Sequence, residues 1–411
     1  MSSSSTRKSS PRISRRGLLG RGGALLAGMP LLRFGSGSLE GERLFVLVEL
    51  VGGNDGLNMI VPFEDPAYHA ARPRLRVRGG GLALGEGFCL HPRMEALLPL
   101  WKEGEMAVLH GVGYPRPDRS HFRSRDVWHS GRPDLETPSQ GWLGRAAAAM
   151  PKDGSMVRAM GLGEVDLSLV LRSPRLAVPA LPDLESYMLH TDGRARRRRD
   201  ARLRELAALQ ETARDDAIGR LLARCAREAL EGSERLREAA ASWRPKAGFP
   251  THAFGRRCAL ASRALTSSLV TRIVHLRHHG FDTHASQNRT HGTLLGDLAT
   301  GLSALAADLR ARGLWKRCLV LCFSEFGRRL AENRSGGTDH GKAGPVLALG
   351  GSLKGGFHGR ATSLTALDDG DPSFTTDFRR VFAEVCERWL SVPSRPVFRG
   401  SFPPLNFLPR S

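Results

Sequence analysis

The stretch CLVLCFSEFGRRLAENRSGGTDHG, residues 318–341, decides how this chain is read. Its apolar run from Cys318 to Phe323 stops abruptly at Ser324 and Glu325, the pattern of a strand buried on both faces that delivers a carboxylate to its carboxyl end. The arrangement recurs. LFVLVEL (44–50) runs into GGNDGLN with Asp55, MAVLHGV (106–112) leads to RSHF with Ser120, and RIVHLRHHG (272–280) leads to FDTH with Asp282 and His284. VLALGG (346–351) reads as a further strand and LSLVL (167–171) as a short one. Between them lie helical patterns: a helix near 256–269, leucines at helical spacing over 293–312 before Gly313, and TTDFRRVFAEVCERWL (375–390). The alternation predicts an α/β fold, a mostly parallel central sheet with helices on both faces. A helical insertion is expected at about 194–245, where Arg, Ala, Glu and Leu dominate without Pro.

At 411 residues and 41% hydrophobic content the chain can bury a large core. Its net charge of +20, densest at RARRRR (194–199), would suit nucleic acid, anionic lipid or acidic substrates. No nucleic-acid recognition motif accompanies that charge, so no nucleic-acid partner is expected. Seven of the cationic residues fall in residues 1–38. There SRRGLL (14–19) precedes a Gly, Ala and Leu run ending near Leu32, which resembles a twin-arginine export signal. Residues 1–38 are therefore expected to be a signal region recognised by the twin-arginine export machinery, with 42–411 a domain working in the periplasm or cell envelope. The apolar run is shorter than the roughly 20 residues a bilayer span needs. FGSGS (34–38) offers no Ala-x-Ala cleavage site, which leaves a retained signal acting as an anchor open. Six cysteines occur without a CxxC, so buried free thiols are expected.

Several residues carry candidate chemistry. Asp55 sits in a Gly-rich turn after a strand, either exposed for ligation or capping the loop as an Asx turn. Asp282 and His284 combine oxygen and nitrogen donors of the kind divalent metals accept. Glu325, ionised at the end of an apolar run, needs a cation, which Arg328, Arg329 or a metal could supply. Asp339 and His340 are expected in a Gly-rich loop before the next strand, a site-like position. Gly336 to Ala343 falls one residue short of a phosphate-binding P-loop, with Ala343 in place of the hydroxyl and a strand rather than a helix to follow. Ser120 lacks a GxSxG elbow and reads either as a helix cap or as a nucleophile activated by a metal.

In order, GGNDGLN, LHP (90–92), GVGYPRPDRSHF, GFDTHASQ, FSEFGRR, GTDHG and TTDFRRVFAEV resemble the bacterial family known as domain of unknown function 1501. That family is placed in the alkaline phosphatase superfamily beside sulfatases and phosphomutases. The resemblance implies an alkaline phosphatase-like fold and a metal-dependent hydrolase of phosphate or sulfate esters, with Ser120 as nucleophile. It implies Asp55, Asp282, His284, Glu325 and His340 as metal ligands, and Arg119, Arg123 or Arg328 as clamps on the substrate oxygens. The expected cofactor is a divalent metal ion: magnesium, manganese, calcium or zinc. Phe326 stands where a second ligand of the usual acidic pair would be, which implies an oxygen-rich site, favouring magnesium, manganese or calcium over zinc, or one site fewer. An anionic ester or acidic polysaccharide is the expected partner. The alternative is a catalytically inactive envelope binding or assembly protein.

Overall fold

The computed structural model describes residues 41–79, 81–151, 157–183, 243–266 and 271–410. The expected signal region and all but the end of the expected helical insertion lie outside them. The central sheet is built from β1 (Leu44–Val51), β2 (Met106–Gly113), β3 (Ala159–Leu162), β4 (Ala180–Leu181), β5 (Ile273–His279), β6 (Cys318–Phe323), β7 (Gly344–Leu349), β8 (Gly356–His358) and β9 (Thr376–Asp377). Their spatial order is β8-β2-β7-β6-β1-β5-β3-β4, with β9 also paired to β2. All pairings are parallel except those of β7, which runs against both β2 and β6. This reversal matters for the site. Because β7 enters where its neighbours end, with Gly344 opposite Val112, the residues just before it arrive at the same rim as the loops that follow β5 and β6.

The strands form where the sequence is apolar without alternation, since both sheet faces are covered. Leu44 to Val48 are 0% exposed, and each such aliphatic side chain stabilises the fold by roughly 1.5–3 kcal/mol. One face carries Phe45, Leu47, Leu319, Leu321 and Phe323 against three helices: α1 (His121–Ser130), α2 (Trp142–Ala149) and α5 (Phe378–Glu384). Trp128 of α1 stacks between Phe378 at 4.7 Å and Phe323 at 5.3 Å, which fixes the helix whose first residue is His121. The other face receives α3 (Ala253–Thr266) and α4 (Gln287–Ala311), where Phe254 stacks on His278 at 4.5 Å and the Leu294 carbonyl is 3.0 Å from His278 Nε2. The expected α/β class with a mostly parallel sheet is thus what the chain builds. The described cysteines, Cys89, Cys258, Cys318, Cys322 and Cys386, are free thiols, and no described helix is long and apolar enough to cross a membrane.

Two local expectations need correcting. LSLVL is not a strand: Leu169–Leu171 forms a 3-10 turn closed by the Leu171 amide on the Ser168 carbonyl at 3.0 Å. Val170 and Leu171 are buried against α2, and the adjoining carbonyls lie so close to Gly141 and Gly144 that any Cβ there would collide. Asp339 and His340 are not in a loop either. Thr338–His340 pairs antiparallel with Arg328–Glu332, setting His340 opposite Arg328.

Candidate metal centre

Three loops and one hairpin strand meet at the rim. Asp282 and His284 follow β5, Glu325 follows β6, His121 opens α1 after β2, and His340 precedes β7. Close approach of the β1 and β5 loops depends on Gly52, which holds φ +120°, and a Cβ there would lie 2.4 Å from the Asp282 amide nitrogen. The Gly52 N–H donates to Glu325 Oε1 at 2.9 Å.

The three imidazoles are oriented by what their outer nitrogens bond. His340 Nδ1 lies 2.8 Å from the Arg119 carbonyl, which can only accept, so that nitrogen carries the proton and Nε2 is bare. His121 Nδ1 faces Glu325 Oε1 at 2.9 Å, and His284 Nδ1 faces Asp339 Oδ1 at 3.3 Å. The carboxylate behind His121 fixes the same tautomer there and turns its Nε2 inward, whereas His284 has a carboxylate at each ring nitrogen and an Nε2 that can donate to Asp282 or His340. The inward atoms crowd on Asp282: His284 Nε2 is 3.0 Å and His340 Nε2 3.2 Å from Oδ1, and His121 Nε2 is 3.4 Å from Oδ2. His284 and His340 also bring their Nε2 atoms within 2.9 Å of each other. His121 Nε2 is buried and has no hydrogen-bond partner among the described residues. The bare nitrogens of His121 and His340 and the free oxygen of Asp282 repel one another unless a cation lies among them; Arg328 meets the other Asp282 oxygen and lies 3.5 Å from His284 Nε2. One ligand atom from each of His121, Asp282 and His340 falls within 4.8 Å of the others, so these residues fit a single metal ion, with His284 beside them. Two nitrogens and one oxygen suit zinc or a transition metal better than the oxygen-rich set expected from Phe326. Phe326 itself is 2% exposed and floors the site, its ring 4.9 Å from His121 and 4.6 Å from His340.

Arg328 brings a cation to the rim. Its side chain is 0% exposed, and it donates to the carbonyls of Gly53 (2.5 Å), Thr338 (2.7 Å), Phe281 (3.1 Å) and Gly52, and to Asp282 Oδ1 (2.8 Å). Burial pushes the Asp282 carboxyl up, but the Arg328 and His340 bonds outweigh it and hold the pKa down at about 2, leaving Oδ2 as the free ligand oxygen. Burial lowers the pKa of His340, against the opposing bond to Asp282, and so favours its neutral ring.

Other predicted residues sit apart from these ligand atoms. Asp55 is 0% exposed, paired with Arg72 Nη1 at 2.6 Å and bonded by Gln287 Nε2. Burial raises its carboxyl pKa, yet the Arg72 charge more than compensates and keeps it below the usual value. Glu325 stands behind His121 rather than among the ligand atoms, and neither Arg328 nor Arg329 is its ion-pair partner. Ser120 caps α1 by position, is exposed, and makes no side-chain hydrogen bond among the described residues. Arg119 is committed to Asp369 (2.8 Å) and Asp371 (2.5 Å), and Arg123 to the carbonyls of Pro133, Leu135 and Glu136.

Residues 88–379 match the family described as protein of unknown function (DUF1501). The chain belongs to that family. No curated protein matches this DUF1501 chain. Among solved structures it is similar to the C-terminal periplasmic domain of EcEptC from Escherichia coli in complex with Zn, at 12% identity over 78% of this chain and 77% of that one, TM-score 0.33. It is similar also to a protein in the alkaline phosphatase superfamily from Vibrio parahaemolyticus, at 10% identity over 82% of this chain and 67% of that one, TM-score 0.33. A third is the phosphonate monoester hydrolase of Agrobacterium radiobacter, at 8% identity over 88% of this chain and 78% of that one, TM-score 0.36. Among the residues of this cluster, His121 is the one the sequence did not single out. Its signal was its place directly after Ser120, at the first turn of a helix that follows a buried strand.

Proposed function

We propose that this protein is an exported, alkaline phosphatase-like, metal-dependent hydrolase of phosphate or sulfate esters. The observation that carries the reading is the inward convergence of bare imidazole nitrogens on the Asp282 carboxylate, with His121 Nε2 orphaned. His121, Asp282 and His340 would hold one divalent ion, and His284 would lie beside it. Such an ion supplies Lewis acidity, lowering the pKa of a neighbouring hydroxyl and offsetting negative charge on the transferring group. Glu325 fixes the His121 tautomer, the Arg119 carbonyl fixes that of His340, and Phe326 excludes water from beneath both rings. Ser120, one residue before His121 on the exposed side of the rim, is the proposed nucleophile. Export rests on the paired arginines of residues 14–19. Metal-loaded protein should turn over p-nitrophenyl phosphate or p-nitrophenyl sulfate, and Ser120→Ala should abolish turnover while retaining the metal. Full activity in Ser120→Ala would remove the serine from the mechanism.

A second reading, a metal-binding envelope protein without catalysis, is favoured by the arginines. Arg119, Arg123 and Arg328 already have partners, so none stands ready to clamp a substrate anion. Metal binding without turnover across both ester classes would select this reading.

A further inference from the structure

A cleft of about 550 Å³ lies beside the rim, lined by Phe88, His110 of β2 and Arg328, with Glu64, Asp65 and Glu86 also bordering it. This volume falls in the range of roughly 300–1,000 Å³ typical of small-molecule sites. His110 is 7% exposed, stacked on Phe357 at 5.0 Å and tilted against Phe88 at 4.8 Å. Its ring makes no hydrogen bond to a described residue, although a buried imidazole ordinarily has one. The residue lines the cleft, the side from which a ligand would supply one. Burial pushes the His110 pKa down to about 4, so at neutral pH the ring is uncharged and offers one N–H and one lone pair.

The cleft's charge is opposite to that of the chain. In a protein of net charge +20, Glu64, Asp65 and Glu86 form no ion pair with any described residue, although Asp65 also caps a short helix by accepting from the Ala67 amide at 2.8 Å. The one cation in the lining, Arg328, is balanced by Asp282 and surrounded by four carbonyls, so it leaves the negative potential in place. The Phe88 ring adds an aromatic face of the kind that attracts ammonium groups. An anionic polymer would meet repulsion here, and a neutral apolar ligand would leave the carboxylates and His110 unused.

From this we infer that the cleft binds an organic ammonium cation whose body rests on Phe88 and whose polar group bonds His110. Binding as such does not depend on the metal centre. Arg328 is common to both, lining the cleft and bonding Asp282. Resting on the proposed hydrolase reading, the ammonium belongs to the leaving alcohol, which makes the ester substrate zwitterionic.

The test is calorimetric titration of the full chain with choline and, in parallel, with 3,3-dimethylbutan-1-ol, which has the same shape without the charge. Choline should bind at least about tenfold more tightly than the alcohol, since the charge is the feature the site recognises. Glu64→Gln combined with Glu86→Gln, two exposed positions that leave folding intact, should weaken choline by about tenfold. His110→Phe should abolish binding. Equal binding of the two probes, no choline binding by the wild type, or an unchanged affinity in the double glutamine variant would overturn the inference. Titrating metal-stripped and metal-loaded protein separates the two proposals. Choline binding by a chain that never takes up metal would sink the hydrolase reading alone, and metal uptake without choline binding would sink the cleft alone.

Discussion

Arg72→Met tests whether Asp55 serves the fold or the metal. In the folded protein both side chains are 0% exposed and 2.6 Å apart. Arg72 also donates to Asn58 Oδ1 (2.9 Å) and to the carbonyls of Leu330 (2.8 Å) and Arg329 (2.8 Å). Removing one partner of a buried pair costs about 3–5 kcal/mol because the remaining charge has no counterion. With a urea slope of about 3 kcal/mol/M, the unfolding midpoint should fall by about 1 M or more. Asp55→Asn on that background removes the stranded charge and should recover at least about 2 kcal/mol. The folded carboxyl pKa is lowered, so the wild-type pair stabilises above the unfolded carboxyl pKa, and that contribution is lost as pH falls through the folded value. A midpoint unchanged in Arg72→Met would refute the reasoning. Rescue of Arg72→Met by added divalent ion would refute it differently, by showing that Asp55 can take a metal.

Acid should destabilise the protein before its carboxylates titrate. Burial holds His110, His278 and His291 neutral, each with its pKa lowered from 6.5 to about 4. The unfolded chain binds those protons first, so stability should drop as pH falls from about 6.5 to about 4, by about 3 kcal/mol for each group. Urea midpoints that stay flat across this window would contradict the burial argument. Gly52→Ala places a methyl against the Asp282 amide in a backbone region that disfavours side chains, and should cost about 1–3 kcal/mol. It should also weaken metal affinity by about tenfold or more, and an unchanged affinity measured by competition with a chromogenic chelator would show that the β1 loop does not position Asp282.

The sheet was legible where burial on both faces removes alternation. The cores of β1, β2 and β6 stand out as unbroken apolar runs for that reason, while β5, IVHLRHH, is broken by His275, Arg277 and His278. β3 and β4, four and two residues long, are too short to show a period. LSLVL is as apolar as a strand, but its burial comes from contact with α2, which only the tertiary structure supplies. The direction of β7 was hidden likewise, because it depends on the Arg328 to His340 hairpin that feeds it. At the site, Asp282, His284 and His340 were visible as donors at strand ends. The fate of Asp55 and Asp282 turned on Arg72 and Arg328, whose partners lie 17 and 46 residues away and leave no local spacing to read. His121 was masked by the serine before it.

Metal stoichiometry is the most direct check on the central claim. Purified protein, supplemented with zinc, manganese or magnesium and then desalted, should retain about one divalent ion per chain by mass spectrometry. His121→Ala, Asp282→Ala and His340→Ala should each lose it, and Asp55→Asn should keep it. Wild-type protein at background after supplementation, or an ion retained by the combined His121, Asp282 and His340 variant, would contradict the account.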